Sequence, residues 1–91
     1  MTTETKLNQI KINEPYKVIT VACDVITKDD DGVITKVARV RETFIPTDTV
    51  ADSERLNALN LSDEDKKIIT DATSNWTDEI KTAYTSYMEK L

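Results

Sequence analysis

The chain of 91 residues has no histidine, one cysteine and one glycine. These shortages remove most familiar catalytic chemistry. Without histidine, the commonest general base, a usual zinc ligand and the base of a Cys/His pair are all missing. A single glycine cannot build a glycine-rich phosphate loop. A single cysteine, Cys23, excludes an internal disulfide framework and fits a reducing compartment. Carboxylate pairs remain, such as Asp63 with Glu64 and Asp78 with Glu79, but acids in the first turn of a helix are expected for electrostatic reasons alone. The composition therefore points away from an enzyme and implies no cofactor and no metal.

Long apolar runs are also lacking. No membrane-length apolar stretch occurs, and the opening residues MTTETKLNQ have neither the basic start nor the apolar run of a signal peptide. The expectation is a soluble chain, cytoplasmic or intracellular, with no membrane partner. With two prolines and no internal repeat or low-complexity tract, residues 1–91 read as a single domain. Within it, residues 1–13 form either an extra strand or a flexible N-terminal arm.

What the sequence does contain is a strong hairpin signal. The segment TKDDDGVITK, residues 27–36, resembles the middle of a calcium loop, but aligning Gly32 to the loop glycine puts Thr27 at position 1 and Ala38 at position 12. Two principal oxygen ligands are thus absent, and the flanks are β-branched rather than helical. Asp31-Gly32 between two β-branched runs instead predicts a tight two-residue turn. The resulting ladder pairs Val25 with Ala38, Cys23 with Val40, Val21 with Glu42 and Ile19 with Phe44 on a mostly apolar face. Its other face sets Asp24 opposite Arg39, Ala22 opposite Arg41 and Thr20 opposite Thr43. A three-residue loop would slip the register by one and turn both arginines inward, so a two- or four-residue loop is expected.

The N-terminal segment alternates at Ile10 and Ile12, and Asn13-Glu14-Pro15 looks like a turn, which favours a third strand over a short helix around Leu7. After Pro46 the pattern turns helical. Thr49 and Asp52 are candidate caps for a helix near residues 50–60. Ser62 caps a second, with Asp63, Glu64 and Asp65 in its first turn and Ile68, Ile69 and Ala72 facing inward. Ser74 or Asn75 caps a third, along which Trp76, Ile80, Ala83, Tyr84, Tyr87, Met88 and Leu91 make one apolar stripe. The predicted fold is α+β: a two- or three-stranded antiparallel β-meander in the N-terminal half, packed against two or three C-terminal α-helices.

Charge is divided unevenly. Residues 1–46 carry seven acids and seven bases, whereas residues 47–91 carry ten acids and five bases, so the whole net charge of −5 lies in the helical half. Direct nucleic-acid binding is disfavoured by that balance. The expected function is a protein-interaction or assembly module that joins a larger partner or a second copy through the hairpin face or an edge strand. Its candidate contact residues are Asp24, Arg39 and Arg41 on the open face, with Tyr84 and Tyr87 at the edge of the core. The alternative is an acidic inhibitor that imitates a polyanion against a basic nucleic-acid-binding target, using Asp63, Glu64 and Asp65.

Overall fold

A computed structural model describes residues 1–51 and 53–91. Three strands, β1 (Thr2–Asn13), β2 (Val18–Lys28) and β3 (Ile34–Phe44), form an antiparallel sheet in the order β1-β2-β3. Three helices follow: α1 (Glu54–Ala58), α2 (Asp63–Ala72) and α3 (Asp78–Glu89). The α+β meander with C-terminal helices is therefore observed, and the N-terminal segment is a full strand.

The β2–β3 register is the one that side-chain alternation demands, with Asp24 opposite Arg39 and Val21 opposite Glu42. The turn differs from expectation. Asp29 N–H donates to Val33 O at 2.9 Å, and Gly32 N–H to Asp29 O at 3.1 Å, closing a three-residue loop with Gly32 at φ 81°. Such a loop alone would shift the ladder by one residue. An irregularity at Thr35, between the pairs Thr27–Lys36 and Lys28–Ile34, absorbs that shift and returns the apolar set to the core. Asp29 is the structural member of the aspartate run, because its Oδ1 accepts the amide protons of Asp31 and Val33, each at 2.9 Å.

Helix starts also differ in detail. Ser53 caps α1 by accepting from Leu56 N–H, whereas Thr49 does not cap it and Asp52 lies outside the described residues. Ser62 caps α2 as expected, accepting from Asp65 N–H. Thr77, rather than Ser74 or Asn75, caps α3, since residues 73–75 close a 3-10 turn that ends at Trp76. The Trp76 indole N–H donates to Lys17 O at 2.7 Å, tying this junction to the β1–β2 turn.

The core joins Ile19, Val21, Cys23 and Phe44 of the sheet to Val50, Leu56, Leu59, Leu61, Ile69 and Trp76. All four sheet residues lie at the end of the ladder nearest the β1–β2 turn. The molecule is 53 Å long and only 24 and 19 Å across, and the hairpin end of the sheet is largely exposed. Strand β2 spans roughly 36 Å and α3 roughly 18 Å, so one helical layer cannot cover the whole sheet. Several residues expected to face inward lie exposed: Ile68 on α2, and Ala83, Tyr87, Met88 and Leu91 along the α3 stripe. Among the described residues, no helix is long and apolar enough to cross a membrane.

Candidate functional site

The two edges of the sheet are treated differently by the rest of the chain. Strand β1 is interrupted at its middle by a bulge between Leu7 and Gln9, and there the Leu7 N–H points outward to Asp65 Oδ2 at 3.1 Å. Helix α2 thus closes the centre of that edge. At the other edge, Thr43 donates its N–H to Glu42 Oε1 at 3.2 Å, and its carbonyl oxygen accepts from Arg55. Both backbone groups of Thr43 therefore face away from β2.

Backbone groups alternate sides along an antiparallel strand, so Arg41, Arg39 and Val37 present their N–H and C=O groups outward with Thr43. None of these outward groups has a partner among the described residues. The result is an open edge between Val37 and Arg41, bounded by Arg55 at one end and by the irregularity at Thr35 at the other. Such an edge is a template for another strand.

Arg55 is the clamp at the closed end. It reaches Asp48 Oδ2 at 3.1 Å through Nη1, pairs with Glu42 through Nη2, and lies 4.9 Å from the centre of the Phe44 ring. The Arg55 hydrogen bond holds the Glu42 carboxyl below its ordinary pKa, against a smaller opposing effect of burial. The same partners raise the Arg55 guanidinium above its ordinary value. Sequence reasoning missed this residue, although an acid on an apolar face, Glu42 opposite Val21, is itself a signal that a cation must come to meet it.

The open face of the sheet is basic. Register places Lys6, Asp24 and Arg39 in one row, Gln9, Ala22 and Arg41 in the next, and Lys11 beyond them. Arg39 Nε donates to Asp24 Oδ1 at 3.1 Å, and Asn8 Nδ2 donates to Asp24 Oδ2 at 2.9 Å, so Asp24 is a fixed anchor for the Arg39 side chain. Arg41 and Lys11 have no ion-pair partner among the described residues. Nearer the hairpin tip Ile26 lies opposite Val37 on the same face, while Glu4, on the far side of Ile26, pairs with Lys28 at 3.2 Å and Lys6 at 3.9 Å. On the helix side of the open edge, Val40 borders a groove of about 290 Å³ that is also lined by Thr5, Val25, Ala58 and Leu59.

The other singled-out residues lie elsewhere. Tyr84 is buried, with its ring edge-on to Tyr16 at 5.6 Å, and half-exposed Tyr87 lies 5.2 Å from the same Tyr16 ring. Tyr16, in the β1–β2 turn, organises this cluster and was not singled out from sequence. Along β2, Asp24 lies six positions from Val18, which is beside that turn, or roughly 20 Å away. The structure therefore brings Asp24, Arg39 and Arg41 together in the middle of the sheet and leaves the tyrosines apart from them, at the β1–β2 turn. Asp63 and Glu64 are exposed, whereas Asp65 is committed to Leu7. Cys23 is fully buried, and burial first, then Asp65 and Asp24, pushes its thiol pKa up. It is therefore a protonated core residue rather than a nucleophile.

No family model matches the chain, and neither a curated protein nor a solved structure matches it significantly.

Proposed function

We propose that the chain is a non-catalytic interaction or assembly module that joins a protein partner, either a larger protein or a second copy, by accepting a strand on the edge of β3. The observation that carries this reading is the asymmetry of the sheet. One edge is broken at its middle by a bulge, where Asp65 takes the Leu7 amide, and keeps only short outward stretches on either side, whereas the other leaves Val37, Arg39 and Arg41 as one continuous run of unpaired outward backbone groups. Long exposed edges are a liability that proteins normally blunt, and this one is blunted only near its ends. Strand addition would satisfy those groups and extend the sheet.

Amide hydrogen exchange, measured with and without the stoichiometric partner recovered from source cells after nuclease and high salt, tests the reading. The amides of Val37, Arg39 and Arg41 are expected to slow in the complex. Val37→Pro, which deletes one outward N–H and spares the ladder to β2, is expected to abolish association without loss of the circular dichroism spectrum. Unchanged exchange on β3, together with full association of Val37→Pro, would remove the edge from consideration.

The polyanion-mimic alternative rests on exposed Asp63 and Glu64. It loses one of its three carboxylates to the Leu7 amide, and it offers no role for the open edge.

A further inference from the structure

The chemistry around the open edge restricts what kind of strand it accepts. An added strand running antiparallel to β3 puts one residue directly opposite each of Arg41, Val40, Arg39, Ala38 and Val37. Alternation then divides those five residues between two environments. Those facing Arg41 and Arg39 lie on the open face, next to those two arginines. The residue facing Val40 lies on the other side, at the mouth of the groove lined by Val25 and Leu59. The residue facing Ala38 lies on that same side, and the residue facing Val37 lies on the open face, where Val37 is opposite Ile26.

We infer that the β3 edge binds an extended acidic peptide segment with the order acid, apolar, acid, apolar, apolar. This inference rests on the edge-pairing reading above. Charge complementarity selects the occupant: Arg41 lacks an ion-pair partner among the described residues, and Arg39 uses only its Nε on Asp24. Two carboxylates placed two residues apart meet both guanidinium groups at the reach of directly opposed cross-strand residues. The same charges oppose a second copy of this chain. Two β3 strands paired edge to edge would gather four arginines on one face with only two Asp24 carboxylates among them, and like charges in that setting repel. Nucleic acid is a poor occupant of this edge, because it lacks the alternating N–H and C=O groups that the outward backbone requires.

The test uses the full chain and three fluorescein-labelled twelve-residue peptides in an anisotropy titration. The first carries Glu-Val-Glu-Val-Val at its centre, the second replaces both glutamates by lysine, and the third is the acidic peptide N-methylated at the residues facing Arg39 and Arg41. The acidic peptide is expected to bind, and the lysine and N-methylated peptides to bind roughly tenfold or more weakly. Arg39→Glu with Arg41→Glu is expected to exchange the preference toward the lysine peptide, an outcome that a merely unfolded variant does not give. Equal binding of the acidic and lysine peptides would overturn the acidic partner while leaving the edge reading in place. Equal binding of the acidic peptide and its N-methylated form would show that charge acts without strand pairing and overturn both. No binding of the acidic peptide at millimolar concentration would overturn the inference alone, since the exchange experiment judges the edge with its natural partner.

Discussion

Arg55 donates to the carbonyl oxygen of Thr43 from twelve residues away in sequence, and in doing so ends the exposed edge of β3. Its other contacts, to Glu42 and Asp48 and over the Phe44 ring, hold the guanidinium at that carbonyl. One residue thereby fastens α1 to the last rung of the sheet and bounds the open stretch of the β3 edge.

Arg55→Ala is expected to lower stability by about 1 kcal/mol, because the lost pairs are partly exposed to solvent although the network is shared. Arg55→Lys is expected to recover only part of this. A single ammonium cannot serve Glu42, Asp48 and the Thr43 carbonyl with the geometry of a planar fork. Urea unfolding of the three proteins measures both effects. Full rescue by lysine would mean that charge alone matters at this position.

Glu42 gives the same network a pH signature. Its carboxyl pKa is lowered on folding, chiefly by the Arg55 hydrogen bond, so it stabilises the fold above the ordinary glutamate pKa. That contribution is lost as pH falls through the lowered value. Glu42→Gln cannot titrate and is expected to be the less stable protein at neutral pH. The gap should close progressively below about pH 4.3. Thermal melts of the two proteins from pH 7 to pH 2 check this, and a gap independent of pH would show that the carboxylate charge contributes nothing.

Much of the sheet was legible because alternation has period two and only one register buries Val21 and Cys23 while leaving Arg39 and Arg41 in water. The turn was not legible, since a bulge at Thr35 restores a register that a three-residue loop would otherwise destroy. Local pattern also placed α2 at Ser62, where cap and acidic first turn agree. It misplaced the start of α3 because Trp76 is held by Lys17 O, a contact between residues 59 apart. The candidate site was half legible. Parity put Asp24, Arg39 and Arg41 on one face, but which edge stays open depends on Asp65 and Arg55, whose reach to the strands is a tertiary fact.

At the hairpin tip, the three consecutive aspartates are expected to behave unequally. Asp29→Ala removes the acceptor of two amide protons and should cost about 1 kcal/mol, whereas Asp31→Ala should be near neutral. Gly32→Ala should cost roughly 1 kcal/mol through its positive φ alone, since a Cβ there would meet no neighbouring atom. Chemical denaturation ranks the three variants. Equal losses at Asp29 and Asp31 would contradict the hydrogen-bonded loop and favour simple charge repulsion among the aspartates.

Ile68 and Ile69 are adjacent on α2 and identical in chemistry, yet Ile69 is fully buried in the core and Ile68 is 47% exposed. Ile69→Ala should therefore cost about 2–5 kcal/mol, the transfer of the lost methylenes plus the cavity they leave. A loss of that size is a large fraction of the stability of a 91-residue chain. Ile68→Ala should stay within about 0.5 kcal/mol, and alanine's better helix propensity offsets part of any packing lost. Sequence pattern alone assigned both residues inward, so the pair reports directly on how α2 is rotated against the sheet. Comparable losses at the two positions would mean that Ile68 is covered as well, and that the helical layer reaches further over the sheet than the exposed Val40 implies.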